Sequence, residues 1–262
     1  MADAAAGNPR VADYSEWRAR DYYDTYYSQV ILPDEQAVLA YQISAMRSAG
    51  RQFNRALDYG CGPTLHRAIA AGAYANRIDL SDWLADNLVA VRDWVAADSK
   101  NEDWRRFTQY LLALEGKPLS GPAEWLAREE RTRRAIRGLY VSDARWRDPL
   151  GQKHKNFYDL LISGFCLDAI SDDKSIWRAC MSNVLSMLAP EGLVVLHFLH
   201  RCTAYKCGQR LFPGADLSVD DVYEALTDEG FEPDSIDVQL IACPDNVEFG
   251  YTGILTASAR KA

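Results

Sequence analysis

Segments with the character of β-strands alternate with amphipathic helices along most of this 262-residue chain, and that order constrains its fold more than any other feature. Strands are predicted at 55–60, 76–81, 138–144, 157–167, 191–199, 235–243 and 250–261, and helices at 33–50, 65–74, 82–98, 173–189 and 218–231. Strands that are separated by helices pair in parallel, and a parallel sheet needs a helical layer on both faces. We therefore expect an α/β fold with a mostly parallel, seven-stranded sheet.

The remaining segments divide the chain into two parts. Residues 51–262 carry the strands and are expected to form one domain, interrupted by an inserted helical segment at about 95–137 that is rich in Trp and charge. Residues 1–50 precede it with an aromatic stretch at 14–30, which is predicted to be helical or irregular. The first dozen residues are expected to be disordered.

Composition and charge exclude several classes of partner. The net charge of −8 argues against a nucleic-acid partner, which is bound through phosphate neutralisation. No apolar run approaches the roughly 18 residues of a membrane span, and the N-terminus lacks the apolar core of a signal peptide. The 6 Cys residues show no Cys-x-x-Cys spacing. Their loose spacing is typical of reduced thiols in a cytoplasmic protein.

A glycine loop, DYGCGPT at 58–64, follows the first strand. Gly60 and Gly62 allow the backbone to turn tightly and to approach a ligand. The third glycine of a dinucleotide loop is absent, and so is the lysine of a phosphate-binding loop. The loop therefore favours a ligand without a pyrophosphate, although an ordinary turn between a strand and a helix would have the same sequence features.

Acidic residues follow the next two predicted strands. Asp79 is placed at the end of the second strand, about 20 residues after the loop, where an acid binds ribose hydroxyls. Asp143 is placed at the end of the third strand. Because the carboxyl ends of parallel strands share one edge of the sheet, these acids suit an adenosine without phosphates, as in S-adenosylmethionine. The alternative is that both acids are solvated.

Several collinear stretches across about residues 14–261 resemble the family of nicotinamide, phenylethanolamine and indolethylamine N-methyltransferases. They are RDYYDTYY, DYGCGPT, IDLSDWLADNL, SDARWRDPLG, FCLDAISDD, LAPEGLVVL and GILTASARK. The resemblance implies a Rossmann-like class I methyltransferase fold. It also implies that residues 1–50 form an N-terminal helical cap that closes over the substrate.

The resemblance implies S-adenosylmethionine as the cofactor and S-adenosylhomocysteine as its product. The residues that would bind the cofactor are Tyr22, Tyr27, Gly60, Cys61, Gly62, Thr64, Asp79, Leu80, Asn87, Asp143, Ala144 and Gly164. Aromatic faces such as those of the tyrosines favour a sulfonium cation. The alternative for the tyrosines is that they pack the cap onto the core.

Candidate catalytic residues lie mainly where the chain departs from the nicotinamide enzymes. His197 replaces an acid that faces the substrate, and Phe212-Pro213-Gly214 replace serines, so the nicotinamide pocket is not reproduced. Tyr205 is retained, and Tyr22 is the candidate in the cap. Asp168 stands where the phenylethanolamine enzymes carry an acid that binds the amine, although it could instead cap the next helix.

His197 could accept a proton from an amine nucleophile. His197 and His200 have no clear third ligand near them in the sequence, so no metal site is expected.

We therefore expect a cytoplasmic, monomeric enzyme that methylates the nitrogen of a small amine or heterocycle in bacterial small-molecule metabolism. Two other classes stay open. One is another reaction of the same cofactor, either O-methylation or an intramolecular cyclisation that releases methylthioadenosine. The other is a non-catalytic nucleotide-binding protein. The expected partner is a small-molecule methyl acceptor, with no nucleic acid and no membrane.

Overall fold

The computed structural model describes residues 11–97, 103–117 and 121–262. Its strands are β1 (Phe53–Tyr59), β2 (Ala75–Asp82), β3 (Ile136–Val141), β4 (Tyr158–Gly164), β5 (Leu188–Leu199), β6 (Ala204–Cys207), β7 (Arg210–Pro213), β8 (Asp237–Ala242) and β9 (Gly253–Arg260). Its α-helices are α1 (Ala19–Tyr26), α2 (Pro33–Ser48), α3 (His66–Ala71), α4 (Ala85–Val95), α5 (Arg105–Leu114), α6 (Pro122–Ala135), α7 (Lys174–Leu185) and α8 (Val219–Asp228).

Seven strands form one sheet in the order β3-β2-β1-β4-β5-β9-β8. Strands β1 to β5 run parallel to one another, and β9 is antiparallel to both of its neighbours. The predicted seven-stranded, mostly parallel sheet is confirmed. The strand order reverses between β1 and β4, because the chain crosses from β3 at the edge of the sheet to β4 beside β1, and such a switch point leaves a crevice at the carboxyl ends of the strands.

Alternating side chains of the strands build a separate core on each face of the sheet. On β1, Ala56 packs into the core beneath α2 and α3, whereas Leu57 and Tyr59 pack into the core beneath α7 and α8. Strands that are buried on both faces have nearly continuous apolar sequences, which is why they could be located in the sequence.

Helix ends follow local signals. Pro33 begins α2, and Gly50, just beyond the end of α2, has a φ of 62°. The side chain of Asp173 caps α7 by accepting from the Ser175 backbone N–H, and Ser218 caps α8.

The inserted segment contains α5 and α6, and α5 packs against both α2 and α3. Trp104 and Phe107 bury their rings around His66 of α3, and Tyr27 of the cap stacks into the same cluster. The insertion is therefore part of the main core.

The β6–β7 hairpin is an addition to the predicted elements. It contacts the cap through the Tyr26 hydroxyl, which donates to the Lys206 carbonyl, and through the Gly208 N–H, which lies 3.3 Å from Thr25 Oγ1. Glu16 and Arg210 form an ion pair between the same two elements. The hairpin and the cap are thus joined above the sheet edge.

Predicted disorder of the first dozen residues lies outside the described residues, except at Val11 and Ala12. Val11 forms an antiparallel bridge with Ser171, and the Ala12 N–H donates to the Ile170 carbonyl at 2.8 Å. In the part of the chain that the structure describes, no helix is long and apolar enough to cross a membrane.

Candidate active site

The glycine loop after β1 turns sharply because both of its glycines adopt positive φ angles, 68° at Gly60 and 60° at Gly62. The N–H groups of Gly60 and Cys61 donate to the Ser81 carbonyl of β2 at 2.8 and 2.9 Å. A Cβ atom at Gly60 would lie 2.0 Å from Cys166 Sγ, so no other residue fits there.

A cleft of about 850 Å³ opens beside this loop, at the carboxyl ends of β1 to β4. Among the predicted cofactor residues, those that line it are Tyr22, Gly60, Cys61, Gly62, Asn87, Asp143, Ala144 and Gly164. The structure therefore brings most of the predicted set together. Thr64, Tyr27, Asp79 and Leu80 do not line this cleft.

The position predicted for Asp79 is wrong, because β2 continues to Asp82. Asp79 lies inside the strand, where its carboxylate is 3.2 Å from Arg77 Nε and accepts a hydrogen bond from the Tyr158 hydroxyl at 3.0 Å. Leu80 is part of the core. Neither side chain reaches the cleft.

Asp82 is the acid at the end of β2 that lines the cleft. Its carboxylate accepts hydrogen bonds from Gly62 N–H and Leu84 N–H at 2.8 Å and from Asn87 Nδ2 at 2.9 Å. These bonds hold Asp82 and the glycine loop in one fixed arrangement. Burial raises the pKa of Asp82, and the hydrogen bonds from these donors partly offset that rise.

Asp143 lines the opposite side of the cleft. Its carboxylate forms two close contacts with Arg145, whose Nη2 lies 2.7 Å from Oδ2. The Arg145 guanidinium lies 5.0 Å from the centre of the Trp83 ring, which also lines the cleft. Asp143 therefore orients an arginine and an aromatic ring at this side.

Arg67 also lines the cleft, although it was not among the predicted site residues. It lies at the start of α3, and its side chain extends over Gly164, where a Cβ atom would lie 3.2–3.4 Å from the Arg67 side chain. The space that Gly164 leaves is therefore occupied by Arg67. The sequence feature that could have identified Arg67 is its position, because it is a cation in the first turn of the helix after the glycine loop.

A second cavity lies next to the cleft, beneath the cap. Four aromatic residues line both spaces, and we call them the aromatic collar: Trp17, Tyr22, Phe165 and Tyr205. Phe165 has a φ of 56°, a strained conformation for a residue with a side chain. A group in the cleft and a group in the second cavity would meet at this collar.

Two acids from the start of α2, Asp34 and Glu35, line the second cavity, and neither was predicted as a site residue. Asp34 Oδ2 accepts from the Tyr251 hydroxyl at 2.8 Å and from Asn246 Nδ2 at 2.7 Å. Glu35 Oε1 lies 2.9 Å from His66 Nε2. Apart from this contact, Glu35 Oε1 has no hydrogen-bond partner among the described residues.

The electrostatic surroundings keep Glu35 ionised. Burial raises its pKa, but His66 and Arg67 outweigh burial and lower the pKa below its ordinary value. The remaining residues that line this cavity are apolar or aromatic, Tyr26, Tyr27, Leu32, Ala169, Leu199 and Tyr251. Tyr27 thus lines the second cavity, not the cleft where it was predicted.

Asp168 and His197, two of the predicted catalytic residues, line neither space. Asp168 is buried, accepts from the Leu199 N–H at 2.8 Å, and has its pKa raised to about 7 by burial. His197 is fully buried on β5, and burial, followed by the nearby Arg67, lowers its pKa to about 3. In this structure neither side chain lines a space that could hold an acceptor, so the geometry does not support a direct role for either.

Tyr22 and Tyr205 belong to the collar, so their catalytic roles remain predictions. The Tyr22 hydroxyl lies 3.4 Å from that of Tyr27, and the Tyr205 hydroxyl lies 3.5 Å from that of Tyr14. Phe212 stacks on both Tyr14 and Tyr205, so it shapes the collar from behind. Within the described ranges, no three His, Cys, Asp or Glu side chains are grouped so as to hold a metal ion.

The cleft fits S-adenosylmethionine on several counts. A glycine turn without a phosphate loop, an acid at the end of β2 and an unpaired buried nitrogen, Arg67 Nε, face the space that a zwitterionic adenosyl compound would need. The aromatic collar suits a sulfonium cation.

Comparisons with known proteins agree with this geometry. A family model described as the NNMT/PNMT/TEMT family matches residues 10–262. The chain is 27% identical over 218 residues to indolethylamine N-methyltransferase of Oryctolagus cuniculus, covering 81% of each chain. It is 25% identical to phenylethanolamine N-methyltransferase of Macaca mulatta, covering 99% of this chain and 94% of the relative.

Among solved structures, magnesium protoporphyrin IX methyltransferase of Synechocystis with bound S-adenosylmethionine is similar, with a TM-score of 0.57 and 15% identity over 95% of this chain and 94% of that one. That likeness shows the shared fold. The family match, the relatives and the cleft together establish that this chain belongs to the NNMT/PNMT/TEMT family and is an S-adenosylmethionine-dependent methyltransferase with a Rossmann-like class I fold.

Proposed function

We propose that the enzyme methylates the nitrogen of a small amine that is bound as a cation in the second cavity. The observation that carries this proposal is the lining of that cavity, which combines aromatic rings with the carboxylates of Asp34 and Glu35. None of the described residues that line it is Lys, Arg or His. Two carboxylates at one cavity carry more negative charge than the nearby Arg67 balances, and an ammonium group would supply the missing counter-charge.

The aromatic part of the cavity selects the body of the acceptor. Tyr26, Tyr27 and Tyr251 line the cavity together with the acids, which suits a compact molecule with an apolar or aromatic side. Ring faces also attract cations. Two relatives are named for indolethylamine and phenylethanolamine, and such arylalkylamines combine both features.

The residues of this chain have distinct tasks in such a reaction. The cofactor supplies an electrophilic methyl group, so the protein needs no covalent intermediate. An amine must be neutral when it attacks, and the carboxylates of Glu35 and Asp34 are the groups in the cavity that can accept its proton. The collar excludes water and holds the nitrogen in line with the methyl group.

Nicotinamide is expected to be a poor acceptor. Its ring nitrogen is already uncharged and its amide needs polar partners, whereas this cavity offers acids and aromatic rings. A buried amide group that is left without its hydrogen-bond partners costs about 1–3 kcal/mol, which lowers the affinity for nicotinamide.

The test measures S-adenosylhomocysteine release with matched acceptors: 2-phenylethylamine, tryptamine, 2-phenylethanol, pyridine and nicotinamide. We expect turnover with the amines and little with the alcohol or nicotinamide. Glu35→Gln should raise KM for the amines about tenfold or more, whereas Glu130→Gln, at an exposed glutamate of α6, should not change it. Turnover of the alcohol alone, or release of methylthioadenosine without any acceptor, would contradict the proposal.

We also propose that the enzyme works as a monomer in a reducing compartment and without a nucleic-acid partner. Support comes from its six free cysteines and its net charge of −8. Sedimentation at micromolar concentration checks the oligomeric state.

A further inference from the structure

Two described cations line the cofactor cleft, and they differ in how they are paired. Arg145 forms a close, two-atom contact with Asp143 and is therefore neutralised. Arg67 is 2% exposed, and its nearest carboxylate atom, Asp58 Oδ1, lies 3.9 Å from Nε, beyond hydrogen-bond distance. Arg67 is thus the cation of the cleft that lacks a bonded counter-ion.

The Arg67 guanidinium is nevertheless held in a fixed position. Nη2 donates to Thr64 Oγ1 at 3.1 Å, and Nη1 lies 2.9 Å from His66 Nε2. The side chain extends across Gly164 at van der Waals distance. Nε is buried and has no hydrogen-bond partner among the described residues. A buried charged donor is normally paired, so a ligand atom is the partner to be expected.

The position of Arg67 identifies which part of the cofactor it faces. Arg67 extends over Gly164 at the end of β4, whereas Asp143 and Arg145 follow β3, and the strand order places β4 and β3 at opposite ends of the cleft. Asp82, between them, suits the ribose. The amino-acid end of the cofactor, which carries a carboxylate, is therefore left for the Arg67 side.

We propose that Arg67 binds the carboxylate of the amino-acid end of the cofactor, and that it selects S-adenosyl amino acids over adenosyl thioethers without that group. A guanidinium matches a carboxylate in both charge and planar geometry. Asp58 supports this assignment, because both of its buried oxygens lack a hydrogen-bond donor among the described residues and could face the cofactor's ammonium group.

The test compares two ligands that share the adenosine and the thioether. S-adenosylhomocysteine carries the amino-acid end, and 5′-methylthioadenosine does not. Calorimetry on the full chain would measure both affinities in the wild type, in Arg67→Gln and Arg67→Lys, and in the matched variant Arg145→Gln. No methyl acceptor is needed, so the result is independent of the function proposed above.

Arg67→Gln should lower the affinity for S-adenosylhomocysteine by roughly tenfold or more, which is the loss expected for a charge-assisted bond. The affinity for methylthioadenosine should change by less than about twofold. The affinity of Arg67→Lys for S-adenosylhomocysteine should lie between those of the wild type and Arg67→Gln, because lysine keeps the charge but loses the planar, two-donor geometry of the guanidinium. Arg145→Gln should change both ligands by the same factor. Equal losses for both ligands in Arg67→Gln, or no loss for either, would overturn the proposal. Retained methylthioadenosine binding also shows that the variant folds.

Discussion

At the scale of single residues, the end of β2 decides which acid meets the cofactor. The strand continues three residues beyond Asp79, to Asp82, and side chains alternate between faces along a strand. A shift of three therefore changes both the position and the face of the acid, which is why Asp82 lines the cleft and Asp79 does not.

Replacing each acid separately tests this assignment. Asp82→Ala should lower the affinity for S-adenosylhomocysteine by roughly tenfold or more, because ribose hydroxyls lose a charged acceptor and the loop loses its bond to Gly62. Asp79→Asn should instead lower the free energy of unfolding, because Arg77 loses its partner. Calorimetry and thermal unfolding measure the two effects. A larger affinity loss at Asp79 would contradict the assignment.

Asp168 makes a separate prediction about stability and pH. Its folded pKa is raised to about 7 from an ordinary 3.8, because it is buried, so the folded state retains a proton that the unfolded state has lost. The stability contributed by this proton is present below about pH 4 and is lost as the pH rises to about 7.

Asp168→Asn removes that titration and still accepts from the Leu199 N–H. Relative to the wild type, the variant should gain melting temperature between pH 4 and pH 7, with the largest gain above pH 7. Asp245→Asn, at an exposed carboxyl, is the control and should follow the wild type. A variant whose melting temperature runs parallel to the wild type at every pH would show that Asp168 does not titrate in this range.

At the scale of elements, the cap divides into a part that closes the site and a part that belongs to the core. Tyr14 and Trp17 line the cleft, whereas Tyr23 and Tyr27 are buried against Trp104. A cap that simply covers the sheet would not contribute to the core in this way.

Deleting residues 1–17 should therefore leave the fold intact but weaken cofactor binding and abolish turnover, because the collar loses Trp17 and its bond to Asn87 at 3.1 Å. Deleting residues 1–27 should in addition lower the melting temperature by several degrees, because it removes two core tyrosines. Circular dichroism and calorimetry distinguish the two deletions. Full turnover after the shorter deletion would show that this segment is not a lid.

The long strands of the main sheet could be located from the sequence, whereas the two short strands of the hairpin could not. Strands of the main sheet are continuous apolar runs, so they could be located, whereas β6 and β7 are four residues each and turn at Gly208, which has a φ of 58°. Four residues are too few to show a period. The hairpin matters because it carries Tyr205 of the collar.

The acids of the second cavity could not be found for a different reason. Asp34 and Glu35 lie in the first turn of α2, where acids are common because they complement the helix dipole. Nothing local shows that this turn faces a cavity. Their role follows only from the packing of α2 against β5 and β9, and from Tyr26, Tyr27 and Tyr251, which line the cavity beside the two acids.

At the scale of the whole molecule, the two spaces share their walls. The ends of β1 to β4 form much of the cleft, and α2 contributes its two acids to the second cavity, yet all four collar residues belong to both. A ligand that orders the collar from one side lowers the entropy that a ligand on the other side must lose. Cofactor and acceptor should therefore bind cooperatively.

Titration of 2-phenylethylamine with and without saturating S-adenosylhomocysteine measures this coupling. We expect the amine to bind about 5- to 150-fold more tightly in the presence of S-adenosylhomocysteine, the usual range for coupled sites. Because linkage is reciprocal, the amine must raise the affinity for S-adenosylhomocysteine by the same factor. Phe165→Ala, in the collar, should reduce that factor. Leu199 lines the second cavity but not the cleft, so Leu199→Ala should lower the affinity for the amine and leave the factor unchanged. Equal amine affinities with and without S-adenosylhomocysteine would show that the collar is rigid before either ligand binds, and that the two sites act independently.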